Sequence, residues 1–282
     1  MLDLPIALAL AAIVSAQAPA TAPAASPIDR AFVRLYNFDF AGAHAALDES
    51  ARLGPGNPLT FSVRAVAYLF EELDRLRILE VQFFLDDDTV VGERRLKPDP
   101  SRRARLFNAI EEARRLAGAR LAVNPDEENA LFALCMSASV VTDYTGLVEG
   151  RPWRSVRLAR ETKKYADKLL ALDPPLYDAY YTYGTMEYVV GCLPFFVRWF
   201  VHYDSVAGDK RQGIEQLKLV ARHGRYYGPF ARMVLSVISL REGKPADAEQ
   251  LLVNLSREFP ENPLLRREAA RASELARRRR KK

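Results

Sequence analysis

Residues 242–263 of this chain read EGKPADAEQLLVNLSREFPENP, and residues 37–58 read NFDFAGAHAALDESARLGPGNP. The two segments lie 205 positions apart, and seven of their 22 aligned residues are identical. Internal repetition of this kind is typical of repeat proteins, in which each unit buries its apolar face only against its neighbours. The repeated segment therefore indicates the fold, and its chemistry is considered first.

The repeated segment has the pattern of a helix that ends and is followed by a second helix. Ala248, Leu252 and Leu255 are spaced as residues on one face of a helix. Pro260 lacks a backbone N–H and disfavours a helical conformation in the residue before it, so the first helix is predicted to end there. Asn262, followed by a proline, is typical of a helix start. The earlier copy predicts the same arrangement.

This pattern resembles the tetratricopeptide repeat (TPR), a helix-turn-helix unit of about 34 residues. The family places a glycine at the end of its first helix, then small, large and small residues in the second helix, and then a closing proline. Gly243, Ala248, Leu252 and Pro260 stand at matching positions, although Leu255 is larger than the family's usual residue. The family also places a small residue where the two helices cross, and Ala65, Cys135, Gly184 and Ser236 occupy that position.

The resemblance implies an all-α protein, a right-handed superhelical solenoid of TPR-like helix-turn-helix repeats with irregular insertions. It covers about residues 37–70, 104–139, 156–192 and 208–265. Because the closing prolines are not spaced at multiples of the repeat length, insertions must intervene, and the predicted ones are 84–100, 143–153 and 193–207.

The N-terminus has a different composition. Residues 4–18 form an apolar run that ends in small residues, as in a secretory signal peptide cleaved after Ala16 or Ala18. We therefore expect a signal peptide at 1–18, a Pro/Ala-rich leader at 19–27, a repeat domain at 28–265 and a periplasmic or secreted product without a transmembrane segment. Because the first residues include Asp3 and no Lys or Arg, a misassigned start or a buried apolar helix is the alternative.

The positive charge is concentrated at the C-terminus. The chain has a net charge of +5, whereas residues 266–282 alone hold nine Lys or Arg and two Glu, so the other residues sum to −2. The basic C-terminal helix or tail at 266–282 is predicted to end in a solvated, unstructured run that could contact an anionic surface. A nucleic-acid partner is not expected, since the rest of the sequence shows no basic stripe.

The sequence contains no pattern that predicts catalysis, a cofactor or a metal. The histidines are scattered over different repeats, and Asp86–Asp88 lacks the spacing of a calcium loop and is interpreted as an acidic loop tip. Cys135 and Cys192 could pair in an oxidising compartment, but two unpaired thiols are favoured because Cys135 occupies a packing position. The expected protein is non-enzymatic.

The tyrosine-rich segment YDAYYTYGTMEY at 177–188 is the strongest candidate for a binding site. The TPR register implies that Tyr180 and Tyr183 pack between helices. It places four other residues on the inner, concave face, where they would contact a partner: Asp178, Tyr181, Thr185 and Tyr188. Alternatively, a neighbouring apolar helix such as PFFVRWFVHY at 194–203 covers these rings, and they belong to the core.

The resemblance implies an exported, non-enzymatic scaffold of the cell envelope that binds other proteins or peptide segments. The alternative is an accessory ligand-binding protein of a transport or lipid system, with an apolar, tyrosine-lined pocket. A third possibility is an adaptor that docks through its basic tail. An open groove would favour peptide binding, and a closed apolar cavity would favour a small ligand.

Overall fold

The structure is a computed structural model that describes residues 25–80, 96–192 and 206–280, and these residues are all-α, with 79% helix and no strands. The described residues form eleven α-helices: α1 (Pro27–Tyr36), α2 (Phe40–Leu53), α3 (Pro58–Arg75), α4 (Pro100–Leu121), α5 (Glu128–Asp143), α6 (Pro152–Leu170), α7 (Tyr180–Cys192), α8 (Lys210–His223), α9 (Gly228–Arg241), α10 (Pro245–Glu258) and α11 (Pro263–Arg280). A π-helical turn (Tyr144–Val148) precedes α6, and a 3-10 turn (Tyr177–Ala179) precedes α7.

Both copies of the repeated segment end one helix and begin the next, as predicted. In the first copy, Asn57 Oδ1 accepts a hydrogen bond from the Leu59 amide at 3.1 Å, and α3 begins at the following proline. In the second, Asn262 Oδ1 accepts from the amides of Leu264 and Leu265 at 2.9 and 3.1 Å. These bonds satisfy amide groups that a helix start leaves without a partner.

Consecutive helices pack side by side, and the small residues lie between them. Helix α3 also contacts α1 and α5, which places these three helices on one side of the row. Ala65, Cys135, Ser236 and Ala248 are at most 4% exposed. At Gly184, an added Cβ would lie 2.7 Å from Leu217 Cγ of α8, so the α7–α8 crossing requires a glycine there. The predicted small-residue positions are confirmed as buried packing positions.

The first helix lies against the last third of the chain. Tyr36 Oη donates to the Tyr226 carbonyl at 2.7 Å, and Asn262 Nδ2 donates to the Tyr36 carbonyl at 2.8 Å. The Phe32 ring stacks on the Tyr226 ring with 4.8 Å between centroids. The first helix thus meets the turn before α9 and the residue that caps α11, which closes the row of helices, and residues of α1, α3, α5, α7 and α9 surround a common interior.

The basic C-terminal segment, predicted as a helix or tail that ends in a solvated run of charge, is helical through Arg280, and the side chains at 277–280 are exposed. Helix α11 continues through Arg280, with Ala276 only 1% exposed. Arg279 donates to the Gly243 carbonyl, and Arg280 lies 3.4 Å from Glu249 Oε2. The alanines give α11 a packed face, so four consecutive arginines can remain helical with their side chains towards solvent.

Other predictions fall partly on the described residues. The insertion at 143–153 contains the π-helical turn, in which Tyr144 is 1% exposed. Ser26, predicted to lie in the leader, caps α1. The signal peptide at 1–18, most of the leader, Asp86–Asp88, the segment 194–203 and most of the insertions at 84–100 and 193–207 lie outside the described residues.

Both cysteines are free, as favoured by the sequence. Cys135 Sγ lies 3.7 Å from the Thr162 carbonyl oxygen and 3.9 Å from Thr182 Oγ1, between α5, α6 and α7. Burial raises the pKa of the Cys135 thiol to about 12. A thiol held protonated in this way is a packing group and a poor nucleophile.

A buried carboxylate fastens the start of α4 to α3. Glu72 is 1% exposed, and its Oε1 accepts from Arg75 Nη2 at 2.7 Å and from the Asp99 amide at 2.9 Å, while Oε2 accepts from Arg102 Nη1 at 2.8 Å. Burial raises the pKa of Glu72, but these hydrogen bonds outweigh burial and lower it to about 2. The folded state thus stabilises the ionised carboxylate of Glu72 relative to the unfolded chain.

We expect this group to make the fold sensitive to acid. Because the folded pKa of Glu72 is about 2 and its ordinary value is 4.5, its stabilising effect is complete above pH 4.5 and is lost as the pH falls through 2. The difference corresponds to about 3 kcal/mol. Urea unfolding at pH 6 and pH 2.5 should show that Glu72→Gln loses less stability on acidification than the wild-type chain. The exposed control Glu111→Gln should follow the wild type, and parallel behaviour of all three would contradict this assignment.

Candidate functional site

A small cavity lies between five of the odd-numbered helices. Its volume is about 40 Å³. Residues from α1, α3, α5, α7 and the start of α9 line it: Phe32, Leu35, Tyr36, Val66, Leu69, Phe70, Met136, Ser139, Val140, Asp143, Tyr181, Tyr227 and Phe230. Since roughly 10–15 Å³ of such space holds one water, the cavity has room for a group of about three non-hydrogen atoms.

Aromatic rings form one wall of this cavity. The Tyr181 ring centroid lies 5.1 Å from that of Phe230 and 5.3 Å from that of Tyr227. Phe70 extends the wall, with its centroid 5.5 Å from that of Phe230. The rings come from helices that are far apart in sequence, and the closure of the helix row brings them together. Ring faces turned towards a small space attract cations.

Asp143 contributes the one carboxylate of the cavity lining. It is the last residue of α5, and among the described residues no cation or hydrogen-bond donor pairs with it. Burial raises the pKa of Asp143 to about 7. Burial raises the pKa of the Tyr181 hydroxyl, and the charge of Asp143, which lines the same cavity, raises it further. A partly buried acid without a partner favours its neutral form unless a cation joins it.

Of the four residues predicted on the inner face, Tyr181 lines the cavity and Asp178 does not. Asp178 precedes α7, in the 3-10 turn, and is 1% exposed. Its carboxylate accepts from the backbone amides of Arg225, Tyr226 and Tyr227 at 2.8, 2.8 and 2.6 Å. The helical spacing used to place Asp178 beside Tyr181 does not apply across a 3-10 turn, and the side chain instead orders the turn before α9.

The other two predicted residues also contact the protein itself. Thr185 Oγ1 donates to the Tyr181 carbonyl at 2.8 Å, within its own helix. Tyr188 is 6% exposed, packs in a cluster with Leu217 and Val220 of α8, and donates through its hydroxyl to Glu242 Oε1 at 3.2 Å. Of the four, only Tyr181 therefore lies on the lining of the central space, and their role in partner binding stays a prediction.

Sequence reasoning missed Asp143, Tyr227 and Phe230. A signal for Asp143 was present, because it is the first charged residue after Glu128 in an otherwise apolar and neutral helix. An isolated acid in a buried helix calls for an explanation, since acids are rarely buried without a partner. The two α9 residues had no such signal, because their place depends on the closure of the helix row.

The described residues contain no group of three or more His, Cys, Asp or Glu that could hold a metal ion. They include one helix, Glu128–Val148, that is long and apolar enough to cross a membrane, and 67% of its most apolar window is buried in the fold. The core helix of a soluble protein passes the same test.

Comparisons of this chain with protein-family models, with curated proteins and with solved structures found no match.

Proposed function

We propose that this chain is a non-enzymatic binding protein that holds a primary alkylammonium group in its central cavity. The observation that carries the proposal is Asp143, a carboxylate that has no cation or hydrogen-bond donor among the described residues and lines the same small, aromatic-walled space as Tyr181. An ammonium group would supply the missing countercharge. The rings would stabilise the same charge by cation–π attraction, which is strongest where water is excluded.

The fold that we propose for this function is a TPR-like right-handed superhelix, wound so tightly that its first helix touches the residue that caps its last helix. The support is the pairing of consecutive helices, the buried small residues at their crossings, and the contact of Tyr36 with Tyr226 and Asn262. In such a fold the first helix of each pair faces inward. Closure would replace the open peptide groove of an extended repeat array with a cavity.

The alkylammonium group can belong to a free amine or to a lysine side chain of a protein partner. If the group is a lysine side chain of a protein partner, the chain would still be the exported scaffold of the cell envelope that the sequence resemblance implies. The cavity volume of about 40 Å³ admits the charged end of such a ligand, while the rest of the ligand stays outside. In both cases the cavity would recognise the ammonium group. Only a protein partner would also contact the surface around the cavity.

We expect n-butylammonium and the amide of N-acetyl-lysine to raise the melting temperature of the wild-type chain, because a ligand bound only to the folded state stabilises it. Butanol, of similar shape and without charge, should have at most a small effect. Asp143→Asn should abolish the amine effect, whereas Asp126→Asn, in an exposed turn, should preserve it. Equal effects of butanol and butylammonium, or an unchanged response in Asp143→Asn, would contradict the proposal.

The amine affinity of this site is expected to depend on pH. Below pH 7 the Asp143 carboxyl is mainly protonated in the free protein, because burial raises its pKa to about 7. The amine remains charged throughout this range. Amine affinity should therefore rise about tenfold per pH unit from pH 5 to pH 6 and level off above pH 7, which calorimetric titrations at several pH values would measure.

A further inference from the structure

Helix α6 presents a basic stripe to solvent that the sequence alone did not reveal. Its residues Arg154, Arg157, Lys164 and Lys168 are all exposed. Arg157, Lys164 and Lys168, spaced seven and four residues apart, lie on one face of the helix. The opposite face, with Thr162, Ala166 and Leu169, is buried against the fold. The stripe is thus fixed outward by the packing of the helix.

Glu161, four residues after Arg157, also lies on this face of α6, so the stripe is mainly basic and includes an acid. Among the described residues no ion pair forms with Arg157, Lys164 or Lys168, and the two acids of α6 have other partners: Glu161 lies 3.3 Å from Arg114, and Asp167 lies 2.9 Å from Lys163. Residues 151–170 hold seven Lys or Arg and two acids. With this segment and residues 266–282 set aside, the rest of the chain carries a net charge of −7.

Trp153 lies in the first turn of α6, on the same face as Arg157, and is 53% exposed. An exposed tryptophan is unusual, because burial of so large an apolar side chain is favourable. Tryptophan is enriched where a protein meets the head groups of a bilayer, since its ring is apolar and its N–H is polar. Clusters of four or more Lys or Arg on one helix face are typical of anionic lipid binding.

We propose that this face of α6, formed by Trp153, Arg154, Arg157, Lys164 and Lys168, docks on an anionic lipid surface. From Trp153 to Lys168 the face is about 22 Å long at the ordinary helical rise. Such a straight face can lie flat on a membrane, with each basic side chain near a phosphate and the tryptophan among the head groups. This inference is independent of the ligand in the central cavity.

A nucleic acid fits the same face less well. Groove-binding proteins project a helix, and its N-terminal residues, into the major groove, whereas α6 is packed along its length. Proteins that bind single strands offer several aromatic rings on which successive bases stack, and this face offers one exposed ring. The charge pattern is therefore explained better by a flat anionic surface.

The test is binding of the full-length chain to vesicles of phosphatidylcholine with 30% phosphatidylglycerol, measured by flotation. The variant Arg157→Glu/Lys164→Glu/Lys168→Glu should bind at least tenfold more weakly than the wild type. A matched control, Arg211→Glu/Arg222→Glu/Lys244→Glu, changes the net charge equally at exposed positions elsewhere and should lose less than threefold. Residues 4–18 are the same in every variant, so a difference in vesicle binding between the two triple variants reports the substituted positions.

Two more measurements complete the test. Brominated lipid should quench the fluorescence of the wild-type chain, and Trp153→Phe should remove most of that quenching, leaving the signal of Trp199, the second tryptophan of the sequence. Equal losses in the two triple variants would overturn the proposal, as would loss of binding on removal of residues 277–282 alone. Tighter binding to a DNA duplex or a single-stranded RNA than to the vesicles, at the same salt concentration, would also overturn it. Circular dichroism checks that each variant is folded.

Discussion

Replacement of Gly213 by alanine is expected to lower the free energy of unfolding by about 3 kcal/mol, the upper range for overpacking at a tight contact. An added Cβ at this position would lie 2.7 Å from the Gly184 carbonyl oxygen and 2.8 Å from the Tyr188 amide nitrogen. Both are backbone atoms, so the contact cannot be relieved by rotation of a side chain. Helices α7 and α8 would have to move apart, and their packing around Leu217 would loosen.

The control for this variant is Gly118→Ala in α4, where no atom lies within 4 Å of an added Cβ. Alanine is favoured over glycine inside a helix by roughly 0.5–1 kcal/mol, so this variant should be more stable than the wild type. Chemical denaturation measures both. If Gly213→Ala were as stable as Gly118→Ala, the α7–α8 crossing would not be where the structure places it.

Replacement of Asp178 by alanine is expected to lower the free energy of unfolding by about 3 kcal/mol or more. The carboxylate accepts three backbone amides in the turn before α9, and the adjoining Tyr226 is 7% exposed. Each buried donor left without a partner costs about 1–3 kcal/mol. Asp178→Asn, which keeps one acceptor oxygen, should lie between the alanine variant and the wild type in a thermal or urea melt.

Asp126→Ala provides the control, because the side chain of this exposed acid accepts no hydrogen bond from the described residues and its loss should change stability by less than about 0.5 kcal/mol. The same melts separate the two roles considered for Asp178. A variant that melts like the wild type and fails to bind a partner would support the inner-face role predicted from the sequence. A large loss of stability would assign Asp178 to the turn.

The cavity was only partly predictable from the sequence. The repeat register pointed Tyr181 inward, and it lines the central space, because helical spacing is a local property. The same register does not place Asp178 on this lining, since the chain makes a 3-10 turn at Tyr177–Ala179 before α7 begins. Tyr188 lies on α7 but is covered by α8 and α9, and no pattern within one helix specifies which neighbours cover it.

The sequence by itself determined where the helices begin and end and which residues must be small. Asn57 and Asn262 cap the helices that begin at the prolines after them, and Gly184 permits a close helix crossing. Each of these features depends on the chemistry of a few adjacent residues. Only the tertiary structure decided that the first helix meets the last third of the chain through Tyr36. That contact brings residues of α1, α3, α5, α7 and α9 together around one small space lined by Asp143, and the packing of α6 turns its charged face outward. The reason is that the angles between packed helices are set by contacts between distant segments, which no local sequence pattern specifies.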